Sequence, residues 1–65
     1  MLRIERMVEM VLFRNRPIRT LRLDEGMEIE FYKILKEMAD MRDVDVNTLR
    51  DAEEIKDKFT KYGLV

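Results

Sequence analysis

Sixty-five residues with no cysteine and no histidine leave room for one domain and exclude disulfides, thiolate metal sites, the common zinc ligand sets and the usual general base. The formal net charge is −1, which argues against a uniformly basic nucleic-acid binder. The charge is lopsided, however: residues 1–22 carry Arg3, Arg6, Arg14, Arg16, Arg19 and Arg22 against Glu5 and Glu9, whereas residues 23–65 carry twelve acids against seven bases.

The basic end is a candidate phosphate footprint, and the acidic remainder repels non-specific contact. A core this small rarely stabilises a fold by more than about 3–5 kcal/mol. With disulfides and metal excluded, oligomerisation is the remaining device, and a homodimer is expected. The lack of Ser, Gln and Trp alongside 42% charged residues leans towards a thermophilic composition. Arg3, Glu5, Arg6 and Glu9 interrupt the first apolar run, so no signal peptide, no membrane partner and a cytoplasmic location are expected. The carboxylates are not accompanied by a Gly-rich phosphate loop or a Ser, His or Cys nucleophile, so neither an enzyme activity nor a cofactor is expected.

In residues 1–17, Ile4, Met7, Val8, Val11 and Leu12 follow helical spacing and predict a helix over 3–13. A strand with Val8, Met10 and Leu12 on one face is the competing reading. Arg14-Asn15-Arg16-Pro17 ends either element. This N-terminal extension is a cover for a small core, with a partner-binding arm formed by residues 1–13 as the alternative.

Arg19-Thr20-Leu21-Arg22-Leu23-Asp24 follows as a short alternating run. It predicts a strand over residues 18–23, with Leu21 and Leu23 on one face and Ile18, Thr20 and Arg22 on the other. Such a strand needs a partner. Thr20 and Arg22 carry suitable chemistry for major-groove base edges, and a solvated edge strand explains them equally well. Arg19 falls on the anchor side, at the rim.

Asp24 is placed to cap the next helix, with Glu25 and Glu28 in its first turn. Met27, Phe31, Ile34, Leu35, Met38 and Met41 continue the stripe for about four turns. Ile29, Tyr32 and Ala39 lie off it, which predicts a second buried face, as in a helix that packs in its own subunit and against a dimer mate. Residues 23–31 also admit a strand–turn–strand parse with Gly26 in the turn.

Further on, Val46, Leu49, Ala52, Ile55, Phe59 and Tyr62 predict a helix over 46–62, capped by Asp45 or Asn47 and closed by Gly63 and Leu64 in a Schellman motif. Asp43, Asp45, Asn47, Asp51 and Glu54 also match positions of a calcium-binding loop. Thr48 stands where that loop demands glycine, and a capped helix accounts for the same residues, so no metal is expected.

On the residues Arg19–Asp24, Leu35-Lys36-Glu37-Met38-Ala39 and Val44-Asp45-Val46-Asn47-Thr48-Leu49, the chain resembles the ribbon-helix-helix superfamily. Its second half is also similar to small archaeal relatives of that fold, including a methanogen protein with a knotted chain. The resemblance implies a mainly α protein with a short β-strand. Residues 18–65 would form the ribbon-helix-helix domain, and residues 1–17 an N-terminal extension. Two chains would intertwine as a homodimer around a paired β-ribbon. It also implies a transcriptional regulator that reads double-stranded DNA. Ile18, Thr20 and Arg22 would face the bases, and Arg16, Arg19, Asn47 and Thr48 the phosphates. The alternative is an interaction module or antitoxin that binds a protein instead, including a β-hairpin type.

Overall fold

The computed structural model describes residues 3–65. Helix α1, Ile4–Arg14, buries Met7, Val8, Val11 and Leu12, the stripe that its helical spacing requires. Arg3 stands at its N-cap without a capping hydrogen bond from its side chain, so packing of the stripe rather than a cap sustains the first turn. Asn15 stops the helix in the left-handed region at φ 52°, which Asn tolerates better than most residues.

Helix α2, Glu25–Arg42, starts where Asp24 Oδ1 accepts the Met27 amide at 2.9 Å. Glu25 and Glu28 occupy its first turn, where the helix dipole favours negative charge. Residues 27–31 are therefore helical and not one arm of a hairpin. Helix α3, Ala52–Lys61, buries Ile55 and Phe59. It ends in the expected Schellman motif: Gly63 at φ 67°, the Gly63 amide on the Thr60 carbonyl at 3.2 Å, and the Leu64 amide on the Phe59 carbonyl at 2.8 Å. None of the helices among the described residues is long and apolar enough to cross a membrane.

The expected β-strand is absent from the described residues. Ile18–Leu21 instead forms a single 3-10 turn, and three local causes favour it. Pro17 presets the backbone before it, at φ −63°. The Thr20 amide and Thr20 Oγ1 both donate to the Pro17 carbonyl, at 3.1 and 2.7 Å, which offers the backbone an alternative to a sheet ladder. A 3-10 turn also places residues i and i+3 on one face. Ile18 and Leu21 are thus buried together in the core of their own chain, whereas a strand would send them to opposite sides. The ribbon-helix-helix architecture is overturned, and with it the paired β-ribbon through which two chains were expected to intertwine.

The helix expected over 46–62 also begins later. Val46–Thr48 is one 3-10 turn, Leu49 is extended at ψ 153°, and α3 starts only at Ala52. Long-range hydrogen bonds pin this break. Asp51 Oδ2 accepts the Ile18 amide at 2.7 Å, and Asn15 Oδ1 accepts the Arg50 amide at 3.0 Å. The segment before α3 is thereby tied to the connection between α1 and α2, and a continuous helix through Leu49 would break both ties.

One core results. α2 packs against both α1 and α3, with Phe31, Tyr32, Leu35 and Ala39 buried between them. Its second apolar face is therefore covered within the chain, although Ile29 remains 47% exposed. Phe31 and Tyr32 meet edge to face, with ring centroids 5.1 Å apart and planes at 87°, a favoured aromatic geometry.

Arg22, which closes the 3-10 turn, sits at φ 54°, a conformation that glycine adopts freely and β-branched residues resist. Arg22→Gly is expected to raise stability by about 0.5–1 kcal/mol and Arg22→Val to lower it by about 1–2 kcal/mol. Urea unfolding measures both. A strand at residues 18–23 would reverse the order, because valine favours strands and glycine weakens them.

Candidate functional site

The residues expected to read DNA fall in three different settings. Ile18 is 4% exposed, inside the core, and cannot reach a base edge. Thr20 is exposed, but its hydroxyl donates to Pro17 and accepts from Arg16 Nε at 2.9 Å. Arg19 and Arg22 line a shallow depression of about 210 Å³ together with Glu28, Tyr32 and Glu54, where two cations face two carboxylates. Asn47 and Thr48 do not open a helix. The Asn47 amide donates to Asp45 Oδ1 at 3.0 Å and the Thr48 amide to the Asp45 carbonyl at 3.0 Å. Both amides expected to hold phosphate are thus already engaged by Asp45.

Three carboxylates of the calcium-like pattern are likewise committed separately. Asp45 caps the 3-10 turn, Asp51 accepts from Ile18, and Glu54 Oε2 accepts the Tyr32 hydroxyl at 3.4 Å. Burial, reinforced by the charge of Glu54, pushes the Tyr32 hydroxyl well above its ordinary value, so it remains a proton donor. Nearby, Lys58 lies 2.5 Å from Glu28. That hydrogen-bonded pair lowers the Glu28 carboxyl and raises the Lys58 ammonium from their ordinary values. Tyr62 packs against Tyr32 at 6.2 Å and lies within 6.0 Å of Lys58. Glu28, Lys58 and the two tyrosines thus clamp α2 to α3 and leave no uncompensated charge for a ligand.

A different feature stands out on the opposite pairing, between α1 and α2. Arg6, Glu9, Met10, Phe13, Arg14, Arg16 and Arg42 line an open groove of about 550 Å³, within the range of ligand sites. Arg6, Met10 and Phe13 recur at spacings of four and three, which places them in one row along α1. Asn15 and Pro17 turn the chain so that Arg16 folds back over this row. Its guanidinium reaches Met10 Sδ at 3.2 Å while its Nε holds Thr20.

Arg42 arrives from the last turn of α2, with its guanidinium carbon 5.6 Å from the centre of the Phe13 ring, a cation–π distance. Phe13 nevertheless stays 47% exposed.

The electrostatics of this groove are one-sided. Four guanidinium groups face a single carboxylate, Glu9. The ion pairs among the described residues, Lys36–Asp40, Lys56–Glu53 and Lys58–Glu28, take none of these arginines. Arg14 and Arg42 lie in last helical turns, where the dipole welcomes a cation. Arg6 and Arg16 have no such reason to be there. A cluster of guanidinium groups around an exposed aromatic ring is suited to an anion that also carries a flat apolar surface.

Of the residues expected from sequence, only Arg16 belongs to this groove. Arg6 and Arg14 were part of the basic N-terminal stretch, but nothing singled them out. Phe13 sat just beyond the apolar stripe, an aromatic beside a basic run, and that was a usable signal. Arg42 lies in the acidic half, and only the packing of α2 on α1 brings it in. Neither a protein-family model, a curated protein nor a solved structure matches the chain.

Proposed function

We propose that this protein is a nucleic-acid-binding module that holds a phosphate backbone in the arginine groove between α1 and α2 and performs no chemistry on it. The carrying observation is the set Arg6, Arg14, Arg16 and Arg42, opposed by Glu9 alone, around a half-exposed Phe13. Arginine forks bind phosphate oxygens in pairs. The acidic remainder of the chain repels a polyanion from the other faces and so directs it to this one. Contact with backbone phosphate is independent of the β-ribbon and of its base-reading residues.

Titration of the full chain with a fluorescein-labelled oligonucleotide at several salt concentrations tests the reading. Phosphates bound by arginine release counterions, so the logarithm of affinity falls linearly with that of salt, by about 0.7–0.9 per phosphate held. With four arginines in the groove the expected slope is about −2 to −4. Absence of binding at low ionic strength, or binding that salt does not weaken, would refute the reading.

A further inference from the structure

We infer that the strand held in this groove is single, with one base stacked on the Phe13 ring and its flanking phosphates on Arg6, Arg14 and Arg16. The inference rests on the reading above and narrows it. Three observations carry it.

The first is shape. A duplex is read by a convex element, a helix or a ribbon, that enters its groove. Here the arginines line an open concavity of about 550 Å³, walled by α1 and by Arg16 beyond its end and closed at one side by Arg42 from α2, a shape that receives an extended strand.

The second is the aromatic ring. Phe31 and Phe59 are buried in the core and Tyr62 packs on Tyr32. Tyr62 also lies near two lysines, but it is part of the clamp between α2 and α3, whereas Phe13 stands 47% exposed among four arginines. Bases of single strands stack on such rings regardless of sequence, while basic side chains track the backbone.

The third is the position of Arg42. Its guanidinium lies over the Phe13 ring at 5.6 Å, and a planar guanidinium is itself a stacking surface for a base. With the guanidinium over part of the ring, a base stacks on the exposed remainder of this pair, which a duplex, with its bases already stacked internally, cannot do.

The chain contains no tryptophan, so Phe13→Trp introduces a unique fluorophore at the proposed contact. The experiment compares labelled oligothymidylate with a hairpin duplex of equal phosphate number, at one low salt concentration, on wild type, Phe13→Ala and Phe13→Trp. The single strand is expected to bind wild type about tenfold more tightly than the duplex, and Phe13→Ala to reduce that preference to about twofold or less. Oligothymidylate should quench the fluorescence of Phe13→Trp at saturation.

Circular dichroism verifies that the alanine variant is folded, and the tryptophan signal decides the matter if it is not. Unquenched tryptophan with salt-sensitive binding intact overturns the stacking inference and leaves the phosphate groove standing. Equal affinity for duplex and single strand does the same. Failure of every nucleic acid to bind overturns both. Equal binding of polyglutamate also overturns the inference, because the groove would then be recognising charge on a polypeptide.

Discussion

Phe31→Ala is expected to leave the chain at most half folded at room temperature. Phe31 is 0% exposed and lies at the centre of α2, the helix that packs against both neighbours. Its ring meets Tyr32 edge to face at 5.1 Å, so truncation removes both buried area and an aromatic pair. Replacing a buried phenylalanine by alanine costs about 3–5 kcal/mol. A domain of this size without disulfide or metal has about 3–5 kcal/mol in total, so the loss matches the whole stability. Ile55→Val, at another fully buried position, removes one methylene and should cost about 0.5–1.5 kcal/mol, leaving a folded protein with an earlier melt. Far-UV circular dichroism and thermal unfolding of the two variants measure this. A cooperative melt for Phe31→Ala near the wild-type midpoint would show that the core is centred elsewhere.

Neutralising the groove should produce the largest change in binding. In Arg14→Gln/Arg16→Gln/Arg42→Gln, two phosphate-facing charges and the cation over Phe13 are lost together. Each phosphate contact removed lowers the salt slope by about 1, so a slope near −3 should fall to about −1. Affinity at low salt is expected to drop by about a hundredfold. The fold should survive, because all three side chains are exposed and the bonds lost, from Arg16 to Thr20 and Met10 and from Arg42 to Phe13, are surface interactions of about 1 kcal/mol or less each.

Arg19→Gln/Arg22→Gln provides the contrast. Those two arginines lie outside the groove, in the depression they share with Glu54 and with Glu28, which is paired with Lys58. Their loss should change binding by less than about threefold and the slope by less than about 0.5, on the same scale. Anisotropy titrations of the two variants across salt concentrations separate the sites. Equal losses for the triple and the double variant would locate the phosphate footprint on the basic N-terminal stretch as a whole rather than in the groove.

The two ends of this contrast show what was legible beforehand. The stripe Met7, Val8, Val11 and Leu12, the cap at Asp24 and the Gly63–Leu64 closure depend on residues within one or two turns of each other. Their placement in the structure follows from spacing and capping chemistry. The segment Ile18–Leu23 departs from its strand pattern for a definite reason. Alternation of apolar and polar residues is shared by a strand and by a tight turn whose apolar positions happen to be i and i+3. The hydrogen bonds from Thr20 to Pro17 and from Ile18 to Asp51 choose the turn. The first of these is local and could have been weighed. The second spans 33 positions and has no signature in the order of residues.

By itself, then, the sequence determined three helices' worth of amphipathic pattern, the ends of the second and the C-terminal end of the third, and a basic N-terminal third against an acidic remainder. Local hydrogen bonding and periodicity carry that information over a few residues at a time. Tertiary structure alone decided that Ile18 and Leu21 belong to the chain's own core, that the helix before Ala52 breaks, and that Arg42 crosses from the acidic half to lie over Phe13. The physical reason is common to all three: each depends on a contact between segments far apart in sequence, whether a packed side chain or a hydrogen bond such as Ile18 to Asp51.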